Sequence, residues 1–147
     1  MIELALASIS IFGLGDWMCV SRLEYGDGMQ ETIETRVTTY HDLSFEEVQT
    51  LSYQMASDNT VSKLKVFVSG YKEVIGSAFI AHPQEVAMTV ELDERDMFTP
   101  EFLNMAEAFF LETSQLIEVV DLNADTMTLR LQKTGKETTC QASSGGA

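Results

Sequence analysis

Basic residues are scarce in this chain of 147 residues. Nine Lys and Arg stand against 23 Asp and Glu, which gives a formal net charge of −14 at pH 7. Proteins that bind the phosphate backbone of nucleic acids, or anionic membrane surfaces, depend on clustered Lys and Arg. The composition therefore predicts no direct phosphate-backbone contact and no membrane binding, and it favours a protein partner with a basic surface.

Proline and cysteine are also rare, at two residues each. Because no Pro-rich linker and no internal repeat interrupts the sequence, one domain is the default for a chain of this length. Cys19 and Cys140 are too few for a disulfide framework, and the burial habits of free Cys favour a buried Cys19 and an incidental Cys140. The sequence alone leaves open whether the two residues pair.

A long apolar run is missing as well. The stretch from Met1 to Leu14 is shorter than the roughly 20 residues that a membrane-spanning helix needs. Its one charge is Glu3, whereas a secretory signal begins with a positive region. We therefore expect no signal peptide and no transmembrane helix, and a cytoplasmic or virion location. The segment is interpreted as mature protein that is buried in the core or against a partner.

Motifs for catalysis or cofactor binding are absent from the sequence. No Walker loop, dinucleotide fingerprint, zinc spacing or nucleophile elbow occurs. His41 and Asp42 have the residue types of an acid–base pair, but a polar linker before the predicted helix explains them without a catalytic role. Asp121–Asp125 resembles the start of a calcium loop, yet Thr126 and Gln132 stand where that loop needs Gly and Glu. We predict a non-enzymatic protein without cofactor or metal.

Two patterns describe the first half of the chain. Residues 16–25 and 31–39 alternate apolar and polar side chains around Gly26-Asp27-Gly28, which predicts a β-hairpin. Ser44 and Glu47 match a capping box. The following apolar residues recur at helical spacing, which predicts a helix from Ser44 to about Ser57.

The second half predicts more strands and one more helix. Strands are expected at 63–68, 74–81 and 85–92, joined by short connections at Ser69–Gly70 and His82–Gln84. Thr99, Pro100 and Glu101 have the residue types of a helix start, and this helix should end near Ser114. Residues 115–122 fit a helix or a strand, and their β-branched content favours a strand in a hairpin with 126–132.

The predicted fold class is α+β, with the element order ββ-α-βββ-α-ββ. It consists of a largely antiparallel sheet with an amino-terminal β-hairpin and two helices packed on one face. The domain is expected to span residues 1–133. A polar, flexible tail is expected over residues 134–147.

The acidic surplus and the apolar start point to contact with another macromolecule. We predict a non-enzymatic assembly or structural subunit, such as a virion tail or connector protein, that forms a homo-oligomer through its amino-terminal segment and uneven charge. The candidate interaction residues are apolar residues of the first segment, lysines near one predicted strand and acids of one loop: Ile2, Leu4, Leu6, Ile9, Ile11, Lys63, Lys65, Lys72, Asp93, Glu94 and Asp96.

Simpler and competing interpretations stand beside this one. The lysines also suit an edge strand protected from aggregation, and the acids also suit a solvated loop. An acidic inhibitor, immunity protein or chaperone that docks a basic, nucleic-acid-binding protein is the alternative function. A small hydrolase that uses His41 ranks third.

Overall fold

Residues 14–112 and 114–143, which the computed structural model describes, form a closed antiparallel barrel of eight strands. The strands are β1 Gly15–Glu24, β2 Met29–Thr39, β3 Ser44–Met55, β4 Val61–Ile75, β5 Ala78–Asp93, β6 Leu116–Leu122, β7 Thr126–Leu131 and β8 Glu137–Ala142. A single helix in these ranges, α1 Pro100–Glu112, connects β5 to β6. Each strand pairs with the next along the chain, and β8 pairs with β1 to close the barrel.

The predicted α+β fold with two helices on an open sheet is wrong. The segment predicted as the first helix is the strand β3. Its buried residues Phe45, Leu51 and Tyr53 belong to the interior cluster of the barrel and are separated by even numbers of positions, as side chains on one face of a strand must be. Burial of this face against β2 and β4 outweighs the helical spacing that the sequence also contains.

The apparent capping box has another role. The backbone N–H and the hydroxyl of Ser44 both donate to Asp42 Oδ1, at 2.9 and 2.5 Å. This Asx-type turn leads the chain from β2 into β3. Ser44, the first residue of β3, therefore closes this turn and caps no helix, and Glu47 takes no part in these hydrogen bonds.

β4 and β5 form one long hairpin where three strands and two turns were expected. The chain reverses at Gly76, whose φ of 63° suits glycine. Gly70 lies opposite Pro83 inside this hairpin, and a register shift there makes Gln84 an extra residue. Proline is tolerated within a strand at such a bulge. The glycine and proline signals thus mark an irregularity in a ladder, and the predicted turns are wrong.

The carboxyl-terminal strand corrects two further expectations. Glu137–Ala142, expected in a flexible tail, forms β8 between β7 and β1. Cys140 lies directly opposite Cys19, with the Cα atoms 4.2 Å apart, and the two residues form a disulfide. Cys140 is fully buried, so the interpretation of it as incidental is wrong.

Elements with strong local signals are confirmed. β1 and β2 form the predicted amino-terminal hairpin. The helix α1 begins as predicted, because the N–H of Phe102 donates to Thr99 Oγ1 at 3.1 Å. The open question about residues 115–122 is answered by the strand β6. Within the described ranges, no helix has the length and apolar character to cross a membrane.

Candidate functional site

The interior of the barrel contains a cavity with two lobes. The larger lobe, of about 280 Å³, is lined by Cys19, Ser21, Ile33, Thr35, Glu47, Gln49, Ile117, Leu129, Leu131, Lys136 and Thr138. The smaller lobe, of about 210 Å³, is lined by Glu47, Gln49, Val68, Ala81, Pro83, Phe109, Phe110, Gln115 and Ile117. Three residues, Glu47, Gln49 and Ile117, line both lobes.

The strand register explains why two polar side chains of β3 point inward. Glu47 lies opposite Val68 of β4, and Gln49 lies opposite Val66. Both valines are buried, and residues opposite each other in a ladder share a face of the sheet. Thr35 of β2 is the opposite neighbour of Gln49 on the other side. A short polar row therefore crosses the interior wall beside these valines.

Glu47 is a half-buried carboxylate on the inner face of the barrel. The Gln49 Nε2 donates to Glu47 Oε2 at 3.1 Å. Burial raises the pKa of Glu47, and the Gln49 hydrogen bond and the charge of Lys72 oppose this only in part. No ion pair in the part of the chain described here includes Glu47. The cavity is therefore lined by an acceptor group that has no cationic partner in contact with it.

Lys72 is the second charged group inside the barrel. Its Nζ donates to Thr39 Oγ1 at 2.8 Å and lies 4.5 Å from the centre of the Phe79 ring. Burial lowers the pKa of Lys72 to about 8, while the charge of Glu47 acts in the opposite direction. Lys72 lines neither lobe of the cavity.

The larger lobe reaches the seam between β1 and β8. These strands pair only from Trp17 to Cys19 on β1, so no ladder joins them beyond the disulfide. There, Lys136 Nζ donates to Ser21 Oγ at 3.0 Å, and both residues line the lobe. Beyond the short ladder, the seam is thus closed by one covalent bond and by side chains.

The structure separates the interaction residues proposed from the sequence. Lys63 and Lys65 are on the outer face of β4. The Lys65 Nζ lies 3.3 Å from Glu91 Oε1. Lys72 is on the inner face of the same strand, so the three lysines form no common strip. The apolar residues Ile2, Leu4, Leu6, Ile9 and Ile11 lie outside the described residues. Self-association through them stays a prediction.

The acidic loop after β5 has a structural role. Asp93 Oδ1 accepts hydrogen bonds from Ser62 Oγ and the Met97 N–H, and Asp93 Oδ2 accepts one from the Phe98 N–H. Glu94 Oε1 accepts from the Val61 N–H at 3.0 Å. Asp96 adopts a φ of 52° in the same turn. These bonds hold the loop that inserts Phe98 into the core.

The other sequence candidates are not in the cavity. His41 is exposed in the turn between β2 and β3, and Asp42 bonds Ser44 there. Glu47 and Gln49 were missed, because Glu47 was interpreted as part of a capping box. The signal that identifies them is their even spacing from Phe45, Leu51 and Tyr53, which puts all five on one face once β3 is a strand.

Replacing Glu47 with Gln should raise the free energy of unfolding at pH 7 by about 1 kcal/mol, since the amide keeps the shape and removes a half-buried charge from the barrel interior. A carboxyl whose pKa is raised in the folded state stabilises the fold below its ordinary pKa, and loses that contribution as pH rises through the raised pKa. The difference in unfolding free energy between Glu47→Gln and wild type should therefore shrink as pH falls toward about 4.

Urea unfolding of both proteins across this pH range measures the effect. Glu46→Gln is the matched control, because Glu46 is the exposed neighbour on the outer face and should show no comparable gain. A Glu47→Gln protein that is no more stable than wild type at pH 7, or a gain that does not change with pH, contradicts the argument.

Comparison with known proteins gives no family. No protein-family model matches the chain, and no curated protein matches it.

Proposed function

We propose that this protein binds a small amphipathic molecule inside its barrel. The observation that carries the proposal is the two-lobed cavity, whose wall combines apolar and polar side chains and in which Glu47 and Gln49 line both lobes. Eight-stranded barrels have an interior that side chains just fill or that holds one small ligand. Here side chains leave lobes of about 280 and 210 Å³, which supports the second alternative.

The composition of the wall supports the same proposal. Small-molecule sites are mainly apolar and contain a few polar groups that orient the ligand. Apolar side chains such as Ile33, Leu129 and Leu131 line the larger lobe, and Glu47 and Gln49 are polar groups common to both lobes. Ser21, Thr35, Lys136 and Thr138 add polar groups to the larger lobe. An unpaired carboxylate in a barrel reduces stability, and perturbed carboxylates in a cavity are typical of functional sites. A ligand that bonds Glu47 would offset this cost.

The disulfide bears on where such binding takes place. Disulfides persist in oxidising environments and are rare in the reducing cytosol. The Cys19–Cys140 bond therefore favours an oxidising compartment over the cytoplasmic location expected from the sequence, and it is compatible with a virion surface. Free thiols on Cys19 and Cys140 in the native protein, counted after denaturation, would overturn this part of the proposal.

Titration with the neutral dye N-phenyl-1-naphthylamine tests the binding function. We expect saturable fluorescence enhancement at one dye per barrel, because the dye is apolar and emits strongly away from water. Ile117→Trp should reduce the affinity at least about tenfold, since residue 117 lines both lobes and the larger ring fills them.

Val120→Trp is the matched control for this experiment. Val120 is on the same strand, β6, and is exposed, so this variant should bind the dye like wild type. Circular dichroism verifies that both variants fold. If wild type shows no saturable binding, or if folded Ile117→Trp binds as tightly as Val120→Trp, the proposal is rejected.

A further inference from the structure

We infer that the ligand carries an amino group on an apolar body, and that Glu47 and Gln49 bind this group as hydrogen-bond acceptors. The inference rests on the proposed function and names the chemical class of its ligand. A primary ammonium on an alkyl chain is the simplest member of the class.

The first argument is the number of hydrogen bonds that Glu47 and Gln49 can accept. An ionised carboxylate can accept about four hydrogen bonds, whereas an ammonium has three donors and no acceptor. In the described ranges, the Glu47 carboxylate accepts one side-chain hydrogen bond, from Gln49 Nε2. That bond also fixes the Gln49 amide, which leaves its carbonyl oxygen as a second acceptor beside the carboxylate. An ammonium at this point can donate to both groups.

The positions of the two lysines nearest the cavity give the second argument. An anionic ligand would need a cation that is free to bind it, but Lys72 lines neither lobe and its Nζ already donates to Thr39 Oγ1. Lys136 lines the larger lobe, but it is exposed and its Nζ donates to Ser21 Oγ at the seam. A ligand anion in the centre of the cavity would instead face the Glu47 carboxylate. The interior therefore favours a cation over an anion.

The charge of the whole molecule gives an independent argument. A formal charge of −14 produces a negative potential that attracts cations and repels anions. The size of the lobes limits the rest of the ligand, because roughly 300–1,000 Å³ is usual for drug-sized molecules. Each lobe is smaller than this, so a short alkyl chain against Leu129, Leu131 and Ile33 fits within the larger lobe, whereas a bulkier molecule such as the dye must occupy both lobes.

Competition among three ligands of equal chain length tests the inference. Octylamine, octanol and octanoate are titrated against the bound dye N-phenyl-1-naphthylamine at pH 7, in high salt to screen the acidic surface. Octylamine should displace the dye at a concentration at least tenfold lower than octanol, and octanoate should be the weakest competitor. The Glu47→Gln protein should bind octylamine and octanol with similar affinity, and Glu46→Gln should keep the wild-type preference.

Each outcome decides between the inference and the function on which it rests. Equal competition by octylamine and octanol, with dye binding still blocked in Ile117→Trp, rejects the amine and retains the binding function. A preference for octylamine that persists in Glu47→Gln rejects the assigned acceptor. Absence of saturable binding, by the dye in fluorescence and by octylamine in calorimetry, overturns both.

Discussion

The Cys19→Ala/Cys140→Ala double variant is expected to lose about 4–5 kcal/mol of unfolding free energy relative to the oxidised wild type. The disulfide joins residues that are 121 positions apart, so it removes a large loop-closure entropy from the unfolded chain. The barrel depends on this bond more than an open sheet would. β1 and β8 pair over three residues only, and the bond is at one end of that short ladder.

Denaturant unfolding of four samples measures this loss: wild type and the double variant, each with and without reductant. Reduced wild type should approach the stability of the double variant, whereas reductant should leave the variant unchanged. Thiol counting verifies the redox state of each sample. A loss below about 1 kcal/mol, or a further loss of the double variant in reductant, would contradict the assigned role of the bond.

Local signals were sufficient for part of the fold. The Gly26-Asp27-Gly28 loop identified the β1–β2 hairpin, and the Thr99-Pro100 pair identified the start of α1. These features are encoded within a few neighbouring residues, so tertiary contacts do not have to be known. Barrel closure is different, because the β1–β8 pairing joins the two ends of the described chain. The two cysteines marked that contact, yet their pairing becomes evident only when the strands between them are placed.

The candidate site itself caused the main error. A strand with one buried face should alternate apolar and polar residues, but Glu47 and Gln49 are polar residues on the inner face of β3. They break the alternation, and the remaining apolar residues then match a helical spacing. Disagreement between a local pattern and the fold is expected where residues serve a function and not stability. The failure at β3 therefore agrees with the position of the cavity.

β4 and β5 approach each other closely at Gly70 and Pro83, where the sequence wrongly predicted turns. A Cβ atom added at Gly70 would lie 2.0 Å from the His82 carbonyl oxygen and 3.0 Å from Pro83 Cα. Both atoms belong to the backbone of β5, so a rotamer change cannot relieve the clash. Gly70→Ala should therefore separate β4 from β5 at the bulge and cost at least about 3 kcal/mol of unfolding free energy.

Gly26→Ala is the matched control, because a Cβ atom there meets no heavy atom within 4 Å and the residue lies in an exposed turn. Its stability should stay within about 0.5 kcal/mol of wild type. Urea unfolding compares the proteins, and amide exchange locates the damage, which should be greatest in the β4–β5 hairpin. If the unfolding free energy of Gly70→Ala is within about 1 kcal/mol of wild type, the backbone at the bulge can shift at little cost in stability. In that case glycine at position 70 is not what permits the close approach of β5 to β4.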